Sequence, residues 1–149
     1  MKCFYAKKTE AHDPAFRLSL GKIARNAEQA ERARLLLAGL DRLEMPVTEP
    51  GEVPRALLEK VHTPELLTFL ETGWDEWKAL EGSGPEVVPN VHALNSKRTY
   101  PKHIIGKAGW HMGDTSAPLG KNSWQATLGA AAAAHDAARA VLDLSLIHI

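Results

Sequence analysis

The sequence predicts an α/β fold in which this chain supplies mostly helices and long loops, with little of the sheet. Three observations lead there. One short segment near the start is rich in strand formers, three later segments carry helical patterns, and the stretches 9–25 and 86–120 follow neither period. Helices with apolar stripes need a second apolar layer to cover them. One strand cannot provide it, so the chain reads as part of a larger α/β domain.

Lys2-Cys3-Phe4-Tyr5-Ala6 forms the expected strand. Cys3 is the only cysteine, which excludes an internal disulfide, and its strand position points to a buried, inert thiol. Residues 9–25 contain His12-Asp13-Pro14 and an isolated Gly21, and read as a long ordered loop of the kind that tends to be functional. Asn26 then stands as a helix cap, with Gln29 as its capping-box partner. The helix expected over 27–43 aligns Ala33, Leu36, Leu37, Leu40 and Leu43 on one face. Two prolines and a glycine in 45–51 stop it, and a short helical turn follows at 54–60.

Thr63-Pro64-Glu65 combines a hydroxyl cap, proline in the first turn and an acid beside the helix dipole. The stripe behind it, Leu66, Leu67, Phe69, Leu70, Trp74, Trp77 and Leu80, reads as core-facing rather than as an aromatic box. Gly82-Ser83-Gly84-Pro85 closes that helix. The stretch 86–120 is irregular, with Val87-Val88 as a buried run. Asn122 and Gln125 repeat the capping-box spacing before a helix over 123–142, whose 20 or so residues span about 30 Å. Small side chains at 129–134 let another backbone approach closely, which suits packing on a sheet.

Lys plus Arg and Asp plus Glu both total 18, so the formal net charge is zero. Proteins held to nucleic acid by phosphate contacts carry a basic excess, which excludes that partner class. The apolar stretch at the N-terminus is too short for a signal-peptide core, and no apolar run is long enough to span a bilayer. The expectation is a bacterial, cytoplasmic protein without a membrane partner. His12, His62, His92, His103 and His111 are scattered, with no His-x-x-x-His pair on a helix, so no metal site is expected from this chain alone. His62, just before the Thr63 cap, is expected to make a structural hydrogen bond.

Several stretches share the order and content of one enzyme family. Glu28-Gln29-Ala30-Glu31-Arg32-Ala33 is similar to a Pro-Glu-Arg-Ala helix start, with alanine in place of proline. Val61-His62-Thr63-Pro64-Glu65-Leu66-Leu67-Thr68-Phe69-Leu70-Glu71 matches a Val-His-x-x-x-Tyr-Leu-x-Phe-Leu-Glu segment, continued by Trp74 and Trp77. Glu86-Val87-Val88-Pro89-Asn90-Val91-His92, Gly106-Lys107-Ala108-Gly109-Trp110-His111-Met112-Gly113-Asp114-Thr115 and Asn122-Ser123-Trp124-Gln125-Ala126 follow in order. Together these resemble the N-terminal region of the acetylpolyamine amidohydrolase branch of the histone deacetylase superfamily, over nearly all of residues 1–143.

The resemblance implies a doubly wound, arginase/deacetylase-like parallel sheet flanked by helices. It implies hydrolysis of an acetamide on an amine, either an acetylpolyamine or acetyl-lysine. In that family Zn2+ is held by two aspartates and a histidine, a histidine pair manages protons and a tyrosine helps to stabilise the oxyanion. The Pro-Gly-His-His and Asp-x-Asp-x-His-His segments that carry these groups do not occur here. No catalytic or metal-binding residue is therefore assigned, and the chain is expected to be inactive as it stands. The resemblance offers two substrate-binding residues at the tunnel rim: Phe16 from the first long loop and Asp114 from the second. Ile105 stands where another rim acid would be, and Asp114 could equally serve as a turn former. The branch often dimerises, which allows a homodimer.

Residues 1–143 thus read as an incomplete N-terminal portion of a deacetylase domain. Residues 144–149 (Leu-Ser-Leu-Ile-His-Ile) match one frame of a transposase sequencing adapter and are expected to be a non-native tail. The competing reading is a small helical interaction module that uses its Leu and Trp stripes without catalysis.

Overall fold

The structure, a computed structural model, describes residues 2–27, 29–92 and 99–143. The expected tail at 144–149 and Glu28 of the helix-start motif lie outside them. The chain is α/β, as expected. Strand β1 (Cys3–Phe4) pairs in parallel with β4 (Val47–Thr48), Cys3 opposite Val47 and Phe4 opposite Thr48. Tyr5 N–H extends the ladder to Thr48 O at 3.0 Å. Residues 45–51 are therefore more than a helix stop. The prolines at 46 and 50 flank β4 and so remove no donor from within it.

A 3₁₀ turn over Lys7–Ala11 carries the chain from β1 onto α5 (Ser123–Asp143). Ala126, Gly129 and Ala132 are buried there. A Cβ at Gly129 would stand 2.9 Å from Lys8 Cγ and 3.0 Å from Ala6 Cβ. The small-residue face of α5 thus receives the chain's own N-terminal segment, chiefly the 3₁₀ turn and secondarily β1.

Residues 9–25 are not one long loop. Phe16–Ser19 (β2) and Lys22–Arg25 (β3) form an antiparallel hairpin with Phe16 opposite Arg25 and Ser19 opposite Lys22. Its two-residue tip, Leu20 at φ 50° and Gly21 at φ 74°, has both central residues left-handed, the geometry that matches strand twist in a tight hairpin.

Helix α1 (Ala30–Arg42) begins later than the Asn26 capping box would place it. Gln29 occupies the cap position, but its side chain turns back, donating to Asn26 O at 3.1 Å, and Asp13 Oδ1 accepts the Ala30 N–H at 3.2 Å instead. None of the helix is fully buried, and Leu36 and Leu43 are 70% and 69% exposed, so much of its leucine face has no covering layer among the described residues.

A single turn, α2 (Arg55–Leu58), precedes α3 (Pro64–Lys78). Thr63 Oγ1 accepts from Leu66 N at 3.3 Å, the expected hydroxyl cap. The stripe on α3 faces the main core of Phe69, Val87, Ile104, Ala108 and Leu119, with Leu66, Leu70 and Trp77 against its edge. Trp74 Nε1 donates to Pro85 O at 3.0 Å and Trp77 Nε1 to Gly84 O at 3.2 Å, so both indoles hold the turn that follows.

The described parts of 86–120 hold regular structure that their composition does not suggest. They contain α4 (Ile104–His111), which packs on α3, and a bridge in which Val87 and Leu119 exchange backbone hydrogen bonds at 2.8 and 3.1 Å. Two smaller expectations are corrected. Cys3 is partly rather than fully buried. His62 is exposed, and the hydrogen bond at that position is its backbone N–H to Leu58 O at 2.9 Å, not one from the ring. No helix among the described residues is long and apolar enough to cross a membrane.

Candidate functional site

The two stretches singled out in the sequence meet in space. Leu18, in β2, donates its N–H to Thr115 O at 3.3 Å, and Thr115 Oγ1 returns a bond to Leu18 O at 3.2 Å. Beside this pair Asn26, only 4% exposed, directs its amide nitrogen to Phe16 O at 3.2 Å and Ser116 O at 3.1 Å. The hairpin and the segment 112–120 are therefore fastened together from two sides. Sequence reasoning placed Asn26 as a helix cap. No local signal marks an asparagine whose side-chain nitrogen reaches carbonyls 10 and 90 residues away.

Phe16 and Asp114 sit on these joined segments. Phe16 is partly buried in β2. Asp114 is exposed, and its Oδ1 accepts the Ser116 N–H at 2.7 Å, a local turn in which aspartate commonly serves. Its backbone segment lies with that of Phe16, while its carboxylate is engaged in its own loop. Ile105 lies apart on α4 and is 40% exposed.

Two further contacts anchor the base of this region. Glu86 Oε1 accepts the Ala15 N–H at 3.1 Å, tying the start of the hairpin to the residue beside the Val87–Leu119 bridge. His12 Nδ1 lies 2.9 Å from Ser123 Oγ, which also accepts the Gly120 N–H at 2.8 Å. With one lone pair taken by Gly120, the hydroxyl keeps a second lone pair and its own hydrogen, so it can pair with Nδ1 in either direction. A cleft of about 190 Å³ lies between His12, Trp74, Glu86, Lys121 and Ser123.

On the other side of α3, Tyr100 OH is 2.9 Å from His111 Nε2 and His111 stacks on Phe69 at 5.0 Å. Burial, aided by the Lys107 charge, pushes the His111 pKa below the ordinary histidine value against the pull of Glu65. Burial raises the Tyr100 hydroxyl, and the charges of Glu65 and Glu76 add to this. Lys107 Nζ meets Glu76 Oε2 at 2.7 Å. Burial would raise the Glu76 carboxyl, but hydrogen bonds from Lys107 and Thr72 and the Lys107 charge hold it below the usual range. Among the described residues no three His, Cys, Asp or Glu side chains come together where a metal could be held. The groups present do not fit a zinc site, and no chemical step can be assigned to them.

No family profile matches the chain. Individual proteins do. It is 32% identical over 144 residues to an acetylpolyamine amidohydrolase of Burkholderia pseudomallei, covering 96% of this chain and 42% of that protein. It is 25% identical over 139 residues to an acetylpolyamine amidohydrolase of Mycoplana ramosa, covering 93% of this chain and 41% of that one. The crystal structure of acetylpolyamine aminohydrolase from Burkholderia pseudomallei superposes with a TM-score of 0.87 at 33% identity, over 96% of this chain and 42% of that structure. Fold and sequence thus agree: the chain has the α/β frame of the matching part of that structure. The chain is similar to these acetylpolyamine amidohydrolases over nearly all of its own length, and it spans about 42% of the length of the relative it matches at 32% identity.

Proposed function

We propose that residues 1–143 are the incomplete N-terminal portion of a zinc-dependent amidohydrolase that removes acetyl groups from small acetylated amines, acetylpolyamines or acetyl-lysine. What carries this reading is the match at 33% identity and a TM-score of 0.87 over 96% of the chain. The described residues offer no ligand set, so Zn2+ in the complete enzyme would be held by residues outside this segment, where it would polarise the acetamide and activate a water. The segment alone is inactive in this account. Its contribution is the rim of the substrate tunnel, with Phe16 as an apolar wall and Asp114 as an acid near a cationic amine. The cytoplasm is the compartment that suits such substrates, and a homodimer is the assembly in which the rim would be completed. Residues 144–149 are a non-native tail in the same account.

Sequencing the gene beyond codon 143 tests this reading. It predicts a paired-histidine segment shortly after α5 and an aspartate-rich ligand segment further on. A frame holding neither would contradict it. The interaction-module alternative would use the bare leucines of α1, Leu36 and Leu43. It predicts instead a natural stop codon and a sharp thermal transition for the 149-residue chain.

A further inference from the structure

We propose that Asn26 is a positioning residue for the tunnel rim: its amide group fastens the β2–β3 hairpin to the 112–120 segment, so that Phe16 and Asp114 face a long cationic substrate as one surface. This rests on the amidohydrolase reading above. Asn26 and Ser123 are the buried polar residues among those described. The Asn26 Nδ2 group carries two hydrogens and faces two carbonyl oxygens on different segments, Phe16 O at 3.2 Å and Ser116 O at 3.1 Å. One of these belongs to the aromatic rim residue. The other belongs to the residue whose N–H holds Asp114 at 2.7 Å. A single planar group therefore sets the spacing between the backbones that present both rim side chains.

The chemistry requires a donor at this point. Two carbonyl oxygens that share a buried site repel unless an N–H lies between them, and an unmatched buried polar group is destabilising. Aspartate has the same shape but presents an oxygen there. The Leu18–Thr115 pair is the second fastening and can be weakened by itself. A displaced rim loses contact with the distal cation of a substrate, and on this proposal that contact is equal in ground and transition states, so that its loss raises KM and leaves kcat unchanged.

The test uses the enzyme expressed from the complete reading frame, as wild type, Asn26→Asp and Thr115→Val. KM and kcat are measured separately on an N-acetylated polyamine and on a small acetylated amine without a second cationic group. Hydrogen exchange at the Leu18 amide is followed in parallel. Asn26→Asp is expected to raise KM for the polyamine about five- to twentyfold, the scale of one or two lost hydrogen bonds. Its kcat and the small-substrate KM stay within about twofold, and Leu18 exchange accelerates. Thr115→Val, which removes only a hydroxyl, shifts the polyamine KM the same way by about two- to fivefold; if Asn26→Asp does not fold, Asn26→Ser, which shortens the side chain and removes the amide donors, decides the question by a polyamine KM shift in the same direction. Faster Leu18 exchange with unchanged KM would overturn the proposal, as would equal losses on both substrates. A wild-type enzyme that removes no acetyl group would instead overturn the reading beneath it, and the proposal with it.

Discussion

Leu18 and Thr115 exchange two hydrogen bonds across 97 residues of sequence, at 3.3 and 3.2 Å. Leu18 belongs to no recognisable motif, and nothing in the segment that ends at Thr115 points to it. Their pairing nonetheless decides that a hairpin near the N-terminus and an irregular segment before α5 act as one element.

The close approach of α4 to Val91 and His92 depends on Gly109. A Cβ there would land on the carbonyl oxygen of Val91, a backbone atom that cannot turn aside. Gly109→Ala is expected to destabilise the chain by at least about 2–3 kcal/mol, the upper range for overpacking. Gly113 has nothing within 4 Å of its would-be Cβ, so Gly113→Ala should change stability by less than about 0.5 kcal/mol. Urea midpoints of the two variants check the contrast; similar midpoints would show that α4 does not sit against Val91.

The two leucine-rich faces should respond differently. Leu67 is 2% exposed on α3 and Leu36 is 70% exposed on α1. Leu67→Ala should cost about 2–5 kcal/mol, as expected for a core truncation. Leu36→Ser in the same chain should change stability by less than about 0.5 kcal/mol. A large loss for Leu36→Ser, measured by thermal melting, would mean that α1 is covered by something the fold described above does not include.

His111 predicts a pH dependence. Its folded pKa is depressed, chiefly by burial, so the native state holds it neutral. Such a group contributes stability that is present above its unfolded value, about 6.5, and is lost as pH falls through the lower folded value. Stability should therefore decline on acidification below about pH 6.5, and His111→Phe should flatten that slope while losing the Tyr100 hydrogen bond. An unchanged slope in the variant would place the acid sensitivity elsewhere.

The parts of the fold written in local chemistry were legible in the sequence. The Thr63-Pro64 start of α3 has the capping bond its residue types imply, and α5 runs to Asp143 on a small-residue face. What escaped was non-local or lacked its usual marker. The hairpin turns at Leu20-Gly21, without the asparagine or aspartate that signals such turns. Helix α4 carries Gly106 and Gly109, poor helix formers kept for close contact with Pro101 and Val91. Strand β4 is two residues long and exists through its pairing with β1. Of the candidate site, the resemblance supplied Phe16 and Asp114. That their segments are fastened through Asn26 could not be read, because a buried amide between distant carbonyls leaves no periodic trace.

The most direct measurement is acetate release by the enzyme expressed from the complete reading frame, with an acetylated polyamine and an acetyl-lysine peptide as substrates, before and after zinc chelation. The account predicts hydrolysis that chelation abolishes and added Zn2+ restores, and none from residues 1–143 alone. Hydrolysis by residues 1–143, or a complete enzyme indifferent to chelation, would contradict it.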